Sequence, residues 1–175
     1  MVQMNERELA VYEDARNMAN IAIWGVELQI KRLFGENEID EFVLQPVVDF
    51  HFLVTSLNRL RQAAGMVSKI SDISSNINKF DLQIPDLRTI RNILEHIDEY
   101  RVGKGRNKTV PKDCFQTILF GKNSINWAGY EINTSEALKA SQELFATIHK
   151  VSPNNAIAHG LPKAAPLRSA TLGNR

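Results

Sequence analysis

Cysteine is almost missing from this chain. Cys114 stands alone, so no disulfide can form within the chain, and the residue reads as a small buried apolar side chain. That scarcity fits a reducing compartment. Net charge is missing as well: 21 Lys and Arg against 20 Asp and Glu leave +1 at pH 7. A chain this close to neutral does not coat nucleic acid or membrane through bulk charge, so any polyanion must be met by a local patch. Long apolar runs are also lacking. No stretch approaches the roughly 18 uncharged apolar residues of a membrane span, and the polar, acidic residues 1–8 are unlike a signal peptide. A cytoplasmic protein with no membrane partner is expected. The Walker loop, the dinucleotide glycine fingerprint, the Gly-x-Ser-x-Gly elbow and the His-Glu-x-x-His helix are absent, which removes the chemistries those motifs carry. His51, His96, His149 and His159 are far apart. With a single cysteine they suggest no structural metal site, and no cofactor is expected.

What is present is a hydrophobic content of 43%, enough for a core in one domain over residues 1–150. Helical spacing dominates. Asn5 and Glu8 form a capping-box pattern before a helix over 5–34, with Val11, Ala15, Met18, Ile21 or Ala22, and Val26 on one face and Gly35 as its C-cap. Residues 35–45 are a short acidic connection. Pro46 opens a second helix that runs to about residue 73, burying Val47, Phe50, Leu53, Val54, Leu57 and Leu60. His51 reads as a half-buried boundary residue, and Asp49, two residues before it, points elsewhere. Residues 71–84, rich in Ser, Asn and Asp, read as a loop with one extra turn. Pro85 starts a third helix to about Gly103, with Leu87, Ile90, Ile93, Leu94 and Ile97 inward.

The character then changes. Residues 103–113 make a basic loop, and 115–120 and 125–132 have strand composition around a Gly121-Lys122-Asn123-Ser124 turn. Thr134-Ser135-Glu136 opens a last helix to Lys150, and residues 151–175 read as a flexible tail. The expected fold class is mainly α: a four-to-five-helix up-down bundle with a small β-hairpin before the last helix.

Chemistry concentrates on the third helix. Arg91-Asn92-Ile93-Leu94-Glu95-His96-Ile97-Asp98-Glu99-Tyr100-Arg101 sets many polar groups opposite the apolar stripe. At about 100° per residue, Arg91 and His96 flank the polar face without stacking on each other, whereas His96 and Tyr100, four apart, stack. Histidine titrates near neutral pH and can move a proton from a ribose 2′-hydroxyl. Arginine stays charged and can fork onto phosphate oxygens. Asn92 can orient either the histidine or the substrate. Arg101, Lys104, Arg106 and Lys108 surround two glycines just downstream, where backbone amides can approach a phosphate. The plainer alternative is an exposed Arg91–Glu95 pair, a histidine at the core edge and a solvated loop. A pocket lined by Trp24, Phe50 and Trp127 is a further possibility, set against those aromatics simply packing in the core.

Arg91-Asn92-Ile93-Leu94-Glu95-His96 resembles the Arg-x(4–6)-His signature of the HEPN superfamily, in which a polar residue often follows the arginine. The resemblance implies a small helical bundle with the motif on a late helix. It also implies a homodimer that joins two motifs in one cleft, and metal-independent RNA cleavage in a toxin–antitoxin or defence setting. By position, Arg91, His96 and Asn92 would be catalytic, with Glu95, Tyr100, Lys104, Arg106 and Lys108 binding substrate. RNA, a second copy and an antitoxin or complex partner would be its partners. The alternative is a non-catalytic helical interaction module whose polar third-helix face is a binding surface.

Overall fold

The computed structural model describes residues 2–35, 45–108, 110, 115 and 118–151. The acidic connection, Cys114, His159 and the tail from residue 152 onward lie outside the described residues. The fold is mainly α. Among the described residues, six helices and three short strands follow in the order α1 (Glu6–Phe34), α2 (Gln45–Val67), α3 (Ser74–Gln83), α4 (Leu87–Glu95), α5 (Ile97–Arg101), β1 (Ile118–Phe120), β2 (Ser124–Trp127), β3 (Tyr130–Asn133) and α6 (Thr134–Lys150).

The capping box forms as its residues require. Asn5 Oδ1 accepts from the Glu8 amide, and the Asn5 amide donates to Glu8 Oε2, both at 2.9 Å. Gly35 does close α1, but in extended backbone rather than the left-handed conformation, with its amide donating to Lys31 O. Of the alternatives Ile21 and Ala22, the helix buries Ala22 and leaves Ile21 76% exposed. On α2, Phe50, Leu53, Val54, Leu57 and Leu60 are buried as expected, but Val47 is exposed.

α1 and α2 run antiparallel. Arg32 near the end of α1 pairs with Asp49 near the start of α2 at 3.0 Å. Halfway along, Gly25 faces Ser56, with room for nothing between them: a Cβ added at Gly25 would stand 2.3 Å from Ser56 Oγ. The missing side chain is what lets the two helices approach. α6 packs antiparallel to α1. Asn20 meets His149 and Glu27 meets Gln142, while Tyr12 Oη donates to Ile148 O. Asp49 is 3% exposed, so its carboxylate depends on the Arg32 guanidinium to offset desolvation.

Two stretches differ from expectation. Residues 74–83 form helix α3, not a loop. Ile73, Ile77, Phe80 and Ile84 recur at helical spacing and are all buried. Core burial outweighs the polar composition between them, and Lys79 reaches Glu143 on α6 at 2.6 Å. The helix expected over 85–103 is broken at His96 (φ −121°, ψ 31°) into α4 and α5. Hydrogen bonds continue across the break, from His96 N to Asn92 O and from Tyr100 N to His96 O, so it is a local bend without an intervening loop.

The sheet has three antiparallel strands in the order β1-β2-β3. Residues 125–132 are not one strand. Ala128 (φ 53°) and Gly129 (φ 81°) form a two-residue turn between β2 and β3, and two successive positive φ angles match the twist of a tight hairpin. Ile125, Trp127 and Ile132 are buried. Trp127 packs on Phe50 and on Phe115 at 5.7 and 6.0 Å between ring centroids. The Thr134 amide and hydroxyl both donate to Asn123 O, tying the start of α6 to the β1–β2 turn. Val151, just past α6, is buried against the same core.

Candidate nucleic-acid interface

Helix α4 buries Leu87, Ile90 and Ile93 and turns Arg88, Asn92 and Glu95 away from the core. Arg91 lies at the boundary. Its Nη1 donates to Asn92 Oδ1 at 3.1 Å and its Nη2 pairs with Glu95 Oε2 at 2.5 Å. Its Nε is buried and has no hydrogen-bond partner among the described residues. The arginine is thus engaged by neighbours on its own helix. An i, i+4 pair of this exposure contributes only about 0.2–0.5 kcal/mol, so it is easily exchanged for a stronger anion.

His96 occupies the bend between α4 and α5. Its side chain is 55% exposed, and Nδ1 lies 3.5 Å from Glu99 Oε1. Arg91 and His96 stand about 140° apart around the helix axis by residue count, and among the described residues the two side chains share no hydrogen-bond partner. One protomer therefore presents them as two groups flanking Asn92 and Glu95. The stacking expected between His96 and Tyr100 does not occur: the Tyr100 ring meets Phe115 edge-on at 6.1 Å.

Tyr100 is buried and organises the basic loop. Its hydroxyl accepts from the Asn107 amide at 3.2 Å, and Asn107 Nδ2 donates to Tyr130 Oη on β3 at 3.1 Å. Tyr100 therefore supports the loop from beneath and does not offer its hydroxyl to a substrate. Gly103 (φ 72°) ends α5 in left-handed backbone. Its amide donates to Tyr100 O while the amides of Lys104 and Gly105 donate to Glu99 O, the paired bonds of a Schellman stop. Lys104, Arg106 and Lys108 are exposed, and Lys108 Nζ also reaches Gly103 O at 3.3 Å. The loop joins directly to the Arg91–His96 segment and presents cations from a fixed backbone. Asn107 was not singled out in the sequence. Its role depends on Tyr130, which sits 23 residues away.

The remaining candidates fall elsewhere. Trp24 is 63% exposed on α1, whereas Phe50 and Trp127 are core residues in mutual contact, so these three aromatics do not line one pocket. His51 is exposed, not half-buried. His149 is half-buried, with Nε2 placed 3.1 Å from the acceptor Asn20 Oδ1 and its ring packed on Phe145. No group of three or more His, Cys, Asp or Glu stands together to hold a metal ion among the described residues. No described helix is long and apolar enough to cross a membrane. No protein-family model matches the chain, and neither does any curated protein or solved structure.

Proposed function

We propose that the α4–α5 face and the basic loop bind RNA, and that the protein is a metal-independent endoribonuclease of HEPN type acting as a homodimer. His96 moves the proton and Arg91 stabilises phosphate charge. The observation that carries this reading is the attachment of the loop. Tyr100 and Asn107 hold Lys104, Arg106 and Lys108 to the same short segment that exposes the His96 imidazole. A strand whose phosphates lie along the loop is led to that imidazole. Arg91, held among the described residues by Asn92 and Glu95, exchanges Glu95 for a phosphate oxygen. A toxin–antitoxin or defence role, with an antitoxin or complex partner, belongs to the same proposal.

The test is cleavage of single-stranded RNA by the full chain in the presence of a chelator. Arg91→Ala and His96→Ala are each expected to lower the rate by about 10²-fold or more, with helical content unchanged. Variants that cleave as fast as the wild type overturn the assignment. The second reading, a non-catalytic interaction module with this face as its binding surface, is favoured by the engagement of Arg91 within its own helix and the burial of its Nε. Under it, the wild type does not cleave RNA at all.

A further inference from the structure

Among the described residues, the outer face of α1 and α2 is apolar and uncovered. Ile21, Trp24 and Leu28 are 76%, 63% and 52% exposed, at i, i+3 and i+7 along α1. Because α1 and α2 run antiparallel, Val48 and Phe52 of α2, 43% and 52% exposed, extend the same face. Beside them lies a shallow hollow of about 370 Å³ whose lining includes Met18, Ile21, Thr55 and Arg59. Large rings and aliphatic chains left in water at this density mark an interaction surface.

The charges at the two ends of the face identify the occupant. At about 100° per residue, Glu13, Asp14, Asn17, Ile21, Trp24, Leu28 and Lys31 fall within one stripe about 100° wide, and all seven are exposed. The stripe is acidic at its N-terminal end, apolar in the middle and basic at its C-terminal end. Among the described residues, none of Glu13, Asp14 and Lys31 makes an ion pair within the chain. Laid antiparallel against a copy of itself, the stripe sets Ile21 opposite Trp24, Asn17 opposite Leu28, and Asp14 opposite Lys31, each pairing occurring twice. A parallel arrangement would set like charges together. We infer that this face pairs with a second copy of the chain across a two-fold axis, as a self-complementary surface allows.

The pairing does not rest on the RNA-cleaving reading. The face is built from α1 and α2, whereas Arg91 and His96 belong to the α4–α5 segment.

Sedimentation velocity on the full chain over a dilution series reads the outcome. The wild type is expected to sediment as a dimer. Trp24→Glu is expected to lose the dimer with unchanged circular dichroism, as befits an exposed position. Asp14→Lys is expected to weaken association about tenfold, and the double variant Asp14→Lys/Lys31→Asp to restore it. A monomeric wild type, a Trp24→Glu variant that still dimerises, or a double variant no tighter than Asp14→Lys overturns the proposal.

Discussion

His149 is a single side chain whose burial couples folding to pH. It lies half-buried between α6 and α1. Burial, with the Arg16 guanidinium as a lesser cause, holds its imidazole below the ordinary value of 6.5. A histidine whose proton affinity falls on folding favours the native state only while it is neutral in both states. That contribution is fully present above the unfolded value and is lost as the pH falls through the folded value. Urea denaturation at about pH 7 and about pH 5 is therefore expected to show a smaller acid loss for His149→Gln than for the wild type, and equal losses would remove the assignment. Two glycines make a second contrast. A Cβ at Gly105 would stand 2.3 Å from the Tyr100 ring, whereas one at Gly65, inside α2, would meet nothing closer than Arg61 Nη1 at 3.7 Å. Gly105→Ala should cost about 1–3 kcal/mol through overpacking. Gly65→Ala should stabilise by about 0.5–1 kcal/mol through the lower helix cost of alanine. Thermal unfolding of the two variants checks both signs.

Among the elements, α3 teaches most about reading this chain. Its polar composition suggests a loop, yet Ile73, Ile77, Phe80 and Ile84 carry the helical period in plain view. The buried minority decides the structure, because an apolar face packed on α2 and α6 outweighs the modest preference of Ser, Asn and Asp for turns. Phe80→Ala is expected to destabilise by about 3–5 kcal/mol, while Leu82→Ala, at a position 78% exposed, should change stability little. Equal effects in denaturant titrations would show that α3 does not depend on its buried face. The capping residues of α1 and the stop at Gly103 were legible because their signals are local. The break at His96 was not, since nothing in the run from Arg91 to Arg101 interrupts the helical pattern. The turn at Ala128-Gly129 was hidden for a related reason: alanine rarely marks positive φ, and only its tight hairpin context requires it here.

At the scale of the whole molecule, the mainly α class and the antiparallel neighbours follow from long amphipathic helices joined in sequence. Polar contacts between elements follow from something else. Asn107 with Tyr130 and Arg32 with Asp49 each join separate elements, and no periodicity within one segment announces such pairs. The Arg91–His96 segment was found by its residue types, but its separation into an engaged arginine and an exposed imidazole needed the fold. The apolar stripe of α1 stayed open between Ile21 and Ala22 for the same reason, since two adjacent positions compete for the core and only packing chooses Ala22.

The two bonds made by Asn107 have a consequence for any polyanion that meets the loop. A flexible cationic segment surrenders its conformational freedom at the moment of contact, and that loss subtracts from affinity. Here the loss has already been incurred during folding: Glu99 O holds the Lys104 and Gly105 amides, and Tyr100 and Tyr130 hold Asn107 from two sides. The lysines and Arg106 therefore meet an incoming chain from a backbone already shaped, with their exposed side chains left to settle.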